Sequence, residues 1–155
     1  ERLQPLADTW SAFVVHTGGH GTGQAAKLCN NMLAGLHMAG LCLSLAAARR
    51  AGLSDAMLFD ILSRSTGDSR VLRARYPGPG VDDAHPANRE YEALFTLDLM
   101  TKDMELAEEF VASMGLEPGL LEAATAVYHE AQAEGLGVLD YSGLIRLGRL
   151  QEDEG

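Results

Sequence analysis

Positive charge is scarce in this sequence. The 155 residues carry 12 Lys and Arg against 22 Asp and Glu, a formal net charge of -10. A surface of that sign repels phosphate backbones and anionic headgroups, so nucleic acid and membrane surfaces are not expected as partners. Cysteine is scarcer still. Cys29 and Cys42 are the whole supply; their spacing along one helix sets them on different faces, so no intrahelical disulfide joins them, and a reducing, cytoplasmic setting fits. His16, His20, His37, His85 and His129 show no metal-ligand spacing, and no Ser-His-Asp or Cys-His grouping can be argued, so no metal is expected. The first residues, ERLQPLADTW, have neither a basic stretch nor an apolar run and do not read as a signal peptide. Leu3, Leu6, Ala7 and Trp10 keep helical spacing with no capping residue ahead of them, as in a chain cut from something longer.

What is present suits a soluble core. With 46% hydrophobic and 22% charged residues, the chain is long enough to bury one core as one domain. Phe13-Val14-Val15-His16 reads as a strand-like run leading into a glycine turn at Gly18, Gly19, Gly21 and Gly23. From Thr22 to Arg50 proline is absent and Ala, Leu and Met dominate, which predicts one helix roughly 40 Å long. Ser54 is expected to cap a helix carrying Met57, Leu58, Ile61 and Leu62, stopped by Gly67. A short helix should follow from Ser69 to Arg75. Pro77, Pro79 and Pro86 make the stretch from Tyr76 to Tyr91 an ordered loop over the surface. Helices resume from Thr96 to Met114 and from Gly119 to Glu134, with Gly115 and Gly135 as stops, and Asp140 should cap a last short helix through Leu150. The fold class is therefore all-α, a helical bundle around one long central helix.

Charge is missing altogether between Leu28 and Ala48, which raises the question of a membrane span. Asn30, Asn31, His37 and Ser44 interrupt the run, and aromatic belts are lacking at its ends. A helix apolar on all sides in a soluble protein is expected to be buried on all sides, at a bundle centre or partly in a subunit interface. With Lys27 at zero and 100° per residue, Asn31 falls at about +40° and Asn30 at about -60°, so the three share a face. Leu28, Met32, Leu36 and Leu43 lie between about +100° and 180°, which sets the polar trio apart from the expected apolar stripe.

Two readings of that trio stand side by side. One is a solvated helix end with a polar first turn. The other is a site: a cation in the first turns opposes the helix macrodipole, and partial burial would favour the neutral amine that a general base needs. Two asparagines could hold a hydroxyl or carboxylate beside it, and the amides of the glycine turn favour anions. Gly21-Thr22-Gly23-Gln24-Ala25-Ala26 also fits a dinucleotide-binding fingerprint, but the second strand and acidic residue it requires would fall at Leu41 to Ala46, which is uncharged and continues the helix.

A second segment carries polar groups inside an apolar pattern. Leu97, Met100, Met104, Ala107, Val111 and Met114 form one stripe, with Leu99, Leu106, Phe110 and Phe95 widening it. Asp103 falls inside the arc and needs a partner, because an unpaired buried carboxylate is costly. A buried structural ion pair and a site group both satisfy that demand. Lys102 stands on the edge, where a snorkelling lysine is the plain alternative. Arg64, Arg70, Arg73 and Arg75 cluster near the proline loop among acidic neighbours.

The run from Gly19 to Asn31, GHGTGQAAKLCNN, resembles the catalytic motif of the β-hydroxyacid dehydrogenases, G-x-G-x-x-x-K-x-x-x-N. The block FTLDLMTKDMELA, from Phe95 to Ala107, resembles that family's second motif, in the spacing of its 3-hydroxyisobutyrate dehydrogenase branch. The resemblance implies a helical C-terminal domain of the 6-phosphogluconate dehydrogenase-like type. Residues 1-17 would then be the tail of a nucleotide-binding domain and its linker, and residues 18-155 the helical catalytic and dimerisation domain. It further implies Lys27 as the catalytic general base and acid. Asn31, Asn30, Gly21, Gly23, Phe95 and Asp103 would contact the substrate, and Lys102 and Phe95 the cofactor, NAD or NADP, held mainly by a Rossmann domain. The implied reaction oxidises 3-hydroxyisobutyrate to methylmalonate semialdehyde, a step of valine catabolism, in a homo-oligomer. A non-catalytic helical oligomerisation or interaction module of the same fold is the rival, with the lysine at position 27 against it.

Overall fold

The computed structural model describes residues 15–151, and among these it is helical, with no strand. Phe13 and Val14, half of the expected strand-like run, lie outside the described residues, as does the helical spacing from Leu3 to Trp10; Val15 and His16 are not in a strand. Five α-helices follow: α1 (Thr22–Arg50), α2 (Asp55–Leu62), α3 (Arg70–Arg75), α4 (Leu97–Ser113) and α5 (Gly119–Ala133). Side chains open three of them. Ser54, Thr96 and Ser69 accept from the backbone N–H groups of Met57, Leu99 and Leu72, each supplying one donor of a first turn with the partner it lacks. After Leu62 the chain turns through Ser63, so α2 ends before Gly67.

The proline segment is ordered but not superficial. Tyr76, Pro77, Gly78, His85, Pro86, Ala87 and Tyr91 are buried, a 3-10 turn spans Pro86–Asn88, and the Tyr91 hydroxyl donates to the Pro77 carbonyl at 2.9 Å. The expected last α-helix is instead two 3-10 segments, Tyr141–Arg146 and Gly148–Leu150. Leu147 between them is extended (φ -53, ψ 127), and its backbone breaks the run. Asp140 does cap the first of the two, accepting from the Ser142 N–H.

α1 is long and apolar enough to cross a membrane by length and composition, yet it packs against each of the other four helices. It is not buried all round. Gly35, Met38, Leu41, Cys42, Leu45, Ala46 and Ala48 are buried, and they cluster within about 80° of the Lys27–Asn31 direction on the wheel. The stripe predicted between +100° and 180° is not the core face: Leu28, Met32 and Leu36 are half-buried and Leu43 is 63% exposed, and Leu33, outside that stripe, is 51% exposed. In a helix with no charge over five turns, composition alone cannot choose the inward face. Gly35 does so here: a Cβ at that position would run into the Met104 side chain, so the missing side chain lets α4 lie directly on α1. The Tyr128 hydroxyl from α5 donates to the Gly35 carbonyl at 2.9 Å. On α4, Leu97, Met100, Met104 and Ala107 are buried as expected, whereas Met114 of the same expected stripe, at the C-cap, is exposed, as are Leu99 and Leu106 of the wider arc.

Candidate functional site

The glycine turn launches α1 without a side-chain cap. Gly21, the N-cap residue, has φ 87, a backbone that only glycine adopts freely, and no acidic side chain stands in the first turn. The hydroxyl of Thr22 turns back to the Gly19 carbonyl at 2.7 Å, which fixes the turn from below. Gly23 is exposed in the first turn of α1. The first amides of α1 therefore have no side-chain acceptor, the arrangement in which a helix N-terminus attracts an anion.

One turn further on, four of the predicted residues come together. The Asn31 side-chain amide donates to Asp103 Oδ2 at 2.7 Å, joining α1 to α4 across 72 positions of sequence. Asn30 Nδ2 donates to Asn31 Oδ1 at 3.2 Å, and Lys27 Nζ lies 3.9 Å from Asp103 Oδ1. A carboxylate only accepts, so this network fixes which end of the Asn31 amide faces Asp103. It leaves one Asn31 N–H and one Oδ1 lone pair for a further group. The partner that the pattern demanded for buried Asp103 is thus Asn31, with Lys27 at looser range. The partial burial expected of Lys27 is not met within this chain, because its side chain is 58% exposed while that of Asp103 is 12% exposed.

Lys102 and Phe95 stand apart from this cluster. Lys102 is exposed on α4 and has no hydrogen bond or ion pair among the described residues. Phe95 is half-buried just before α4, its ring edge against Tyr141 with centroids 6.1 Å apart. Sequence reasoning missed what holds it. Asp140 is fully buried, and its Oδ2 accepts from the Leu94 and Phe95 N–H groups, both at 3.2 Å, while also pairing with Arg75 Nη1. The only signal for this in the sequence was an aspartate in a capping position. The Arg75 guanidinium also lies over the Tyr141 ring, 5.1 Å from its centroid. Of the arginines grouped near the proline loop, Arg64 pairs with Asp60 and Arg73 with Asp68. Among the described residues no group of three His, Cys, Asp or Glu could hold a metal ion. Cys29 is exposed, Cys42 buried, and both are free thiols; burial pushes the Cys42 thiol well above its usual range.

An amine beside a carboxylate and a fixed carboxamide, at a helix N-terminus open to anions, can bind a small hydroxy acid and move its hydroxyl proton. Comparison with known proteins points the same way. Residues 21–148 match the family described as NAD-binding of NADP-dependent 3-hydroxyisobutyrate dehydrogenase. The 3-hydroxyisobutyrate dehydrogenase of Pseudomonas aeruginosa is 36% identical over 152 residues, covering 96% of this chain and 50% of the relative. The NAD-dependent L-serine dehydrogenase of the same organism is 32% identical over 147 residues, 95% of this chain and 49% of the relative. Among solved structures, Mycobacterium tuberculosis 3-hydroxyisobutyrate dehydrogenase with L-serine superimposes with a TM-score of 0.87 at 32% identity, over 94% of this chain and 50% of that one. The chain spans about half the length of the curated relatives it matches.

Proposed function

The chain belongs to the 3-hydroxyisobutyrate dehydrogenase family, and on that premise we propose that it is the substrate-binding and catalytic-lysine domain of an NAD(P)-dependent oxidoreductase acting on short 3-hydroxy acids. We take 3-hydroxyisobutyrate as the first substrate, with methylmalonate semialdehyde as product. Serine is the second candidate: it shares the carboxylate and the hydroxyl on carbon 3, one relative is an L-serine dehydrogenase, and the similar Mycobacterium tuberculosis structure is that of the enzyme with L-serine. The observation that carries the reading is the Lys27–Asn31–Asp103 cluster at the uncapped start of α1.

In this reading residues 18-155 are an all-α bundle around α1, and residues 1-17 lead from a nucleotide-binding half. The substrate carboxylate lies near the Gly21 and Gly23 backbone. Asn31, held by Asp103 and Asn30, uses its remaining N–H and lone pair to orient the hydroxyl. Lys27 takes the hydroxyl proton, and returns one in the reverse direction. A bound nicotinamide would supply the hydride acceptor. The residues present fit only that end of the cofactor: Lys102 is an exposed cation without a partner among the described residues, and Phe95 offers a ring. No strand-turn-helix for a dinucleotide pyrophosphate occurs among the described residues. The outward face of α1, with Leu33 and Leu43, is where we place contact with a second copy. That face is also the one feature favouring the rival reading, a pure oligomerisation module.

The test is reduced-nicotinamide absorbance in the full-length protein, offering 3-hydroxyisobutyrate and then L-serine, each with NAD and NADP. Turnover of either acid supports the reading and selects the cofactor. A folded full-length protein that turns over neither acid with either cofactor overturns it in favour of the module.

A further inference from the structure

We propose that Arg75 and Asp140 are positioning residues for this site, a charge pair of a half-buried guanidinium and a fully buried carboxylate that sets Phe95 and the start of α4. The proposal rests on the reading of Phe95 as a residue of the cleft, and deepens it.

Phe95 precedes the helix that carries Lys102 and Asp103, and it is held at three points by one short stretch of the C-terminal segment. Its N–H donates to Asp140 Oδ2 at 3.2 Å. Its carbonyl accepts from the Tyr141 N–H at 3.0 Å. Its ring meets the Tyr141 ring edge to face, at 88° between planes. Around this point the backbones zip together: Leu97 N–H donates to the Leu139 carbonyl at 2.8 Å, Asp98 N–H to the Gly137 carbonyl at 3.0 Å, and Asp140 N–H to the Tyr91 carbonyl at 2.8 Å.

The Asp140 carboxylate is the centre of that arrangement. Oδ1 accepts from both the N–H and the hydroxyl of Ser142, at 3.1 and 2.7 Å; Oδ2 accepts from Leu94, Phe95 and Arg75. With no solvent exposure, the carboxylate depends on these donors to satisfy its oxygens, and the only cation among them is Arg75. Arg75 in turn spans the cluster, bonding Asp140 while covering the Tyr141 ring. Neither residue reaches the Lys27–Asn31–Asp103 group by any hydrogen bond or ion pair. Their action on the reaction runs through Phe95, which makes them positioning rather than catalytic residues.

The experiment uses the full-length protein and the Arg75→Gln and Arg75→Lys variants, with two readouts. Hydrogen exchange at the Leu94 and Phe95 amides reports the anchor without any turnover; in Arg75→Gln it should speed about tenfold relative to amides inside α5. Kinetics report the consequence: KM for the hydroxy acid should rise about tenfold while kcat stays within about threefold, and Arg75→Lys should recover part of the KM. A purely structural pair would lower the melting temperature and leave KM alone; that outcome, or unchanged exchange in folded protein, overturns the proposal. Should Arg75→Gln fail to fold, Tyr141→Leu removes only the aromatic contacts and must raise KM in the same direction, or the proposal fails. Faster exchange in a protein whose wild type has no dehydrogenase activity would count against the dehydrogenase reading and leave the anchor standing.

Discussion

Asp103 is the residue whose replacement best separates the parts of the candidate site. It holds Asn31 through a 2.7 Å hydrogen bond and faces Lys27 at 3.9 Å. A hydrogen bond to a charged acceptor is worth about 1.5–3 kcal/mol, against about 0.5–1.5 kcal/mol for a neutral one. The lysine contact adds about 0–1 kcal/mol, because Lys27 is mostly solvated. Asp103→Asn keeps an acceptor of the same shape and should lower unfolding stability by about 1 kcal/mol. Asp103→Leu removes the acceptor, leaves the Asn31 amide without its partner, and should cost about 2 kcal/mol after the gain from a buried apolar side chain. Urea unfolding reads this directly: with slopes of about 1–3 kcal/mol/M, the leucine variant should shift its midpoint by about 1 M and the asparagine variant by about half that, with unchanged slope. Equal losses would show that charge rather than the acceptor holds the seam. No loss in either would refute the argument that the Asn31–Asp103 bond stabilises it.

Lys27→Ala, at an exposed side chain, should leave stability within about 0.5 kcal/mol and lower turnover of the full-length protein by a factor of about 10²–10⁴, read in the nicotinamide assay; normal turnover would remove Lys27 from the mechanism. Gly35→Ala drives a methyl group into Met104 where α4 lies on α1, and should cost about 1–3 kcal/mol in thermal unfolding; a neutral result would mean the two helices separate freely. Burial pushes the Tyr91 phenol up to about 12 and raises Tyr76, Tyr128 and Tyr141 as well. Because these folded-state values lie above the unfolded value of about 10, the stability they contribute is fully present below about pH 10 and is lost as pH rises through the folded values; circular dichroism melts from pH 8 to 12 should show a decline that starts near pH 10.

Much of this was legible in the residues because local chemistry set it. Ser54 caps its helix as its position before an apolar pattern predicts, Ser69 and Thr96 open theirs in the same way at the expected starts, and the long proline-free stretch gives α1 with its expected bounds. Lys27, Asn30 and Asn31 share a face because helical geometry requires it, and the misfit of a carboxylate in the α4 stripe pointed to Asp103. The anchor at Asp140 was not legible, since it depends on bringing residues 75, 95 and 140 together across three separate segments. Nor was the 3-10 form of the last segment: a capping aspartate announces a helical turn but does not say how tightly the following turns wind.

The misplaced stripe on α1 carries the larger lesson about the site. The pattern set the polar trio apart from the core face, whereas the structure puts them on the same face, so that Lys27, Asn31 and Gly35, each four residues on from the last, run down one seam against α4. Asn31 meets Asp103 and Gly35 meets Met104, adjacent residues on one helix facing adjacent turns of the other. The cluster is therefore the polar end of a packing seam rather than a surface patch beside it. Rigid packing below holds Asp103 in place, and Asp103 holds Asn31. A change in the seam that leaves every polar residue intact, such as Gly35→Ala, should for this reason loosen the site as well as the core, because the methyl group that displaces Met104 displaces the neighbour of the carboxylate.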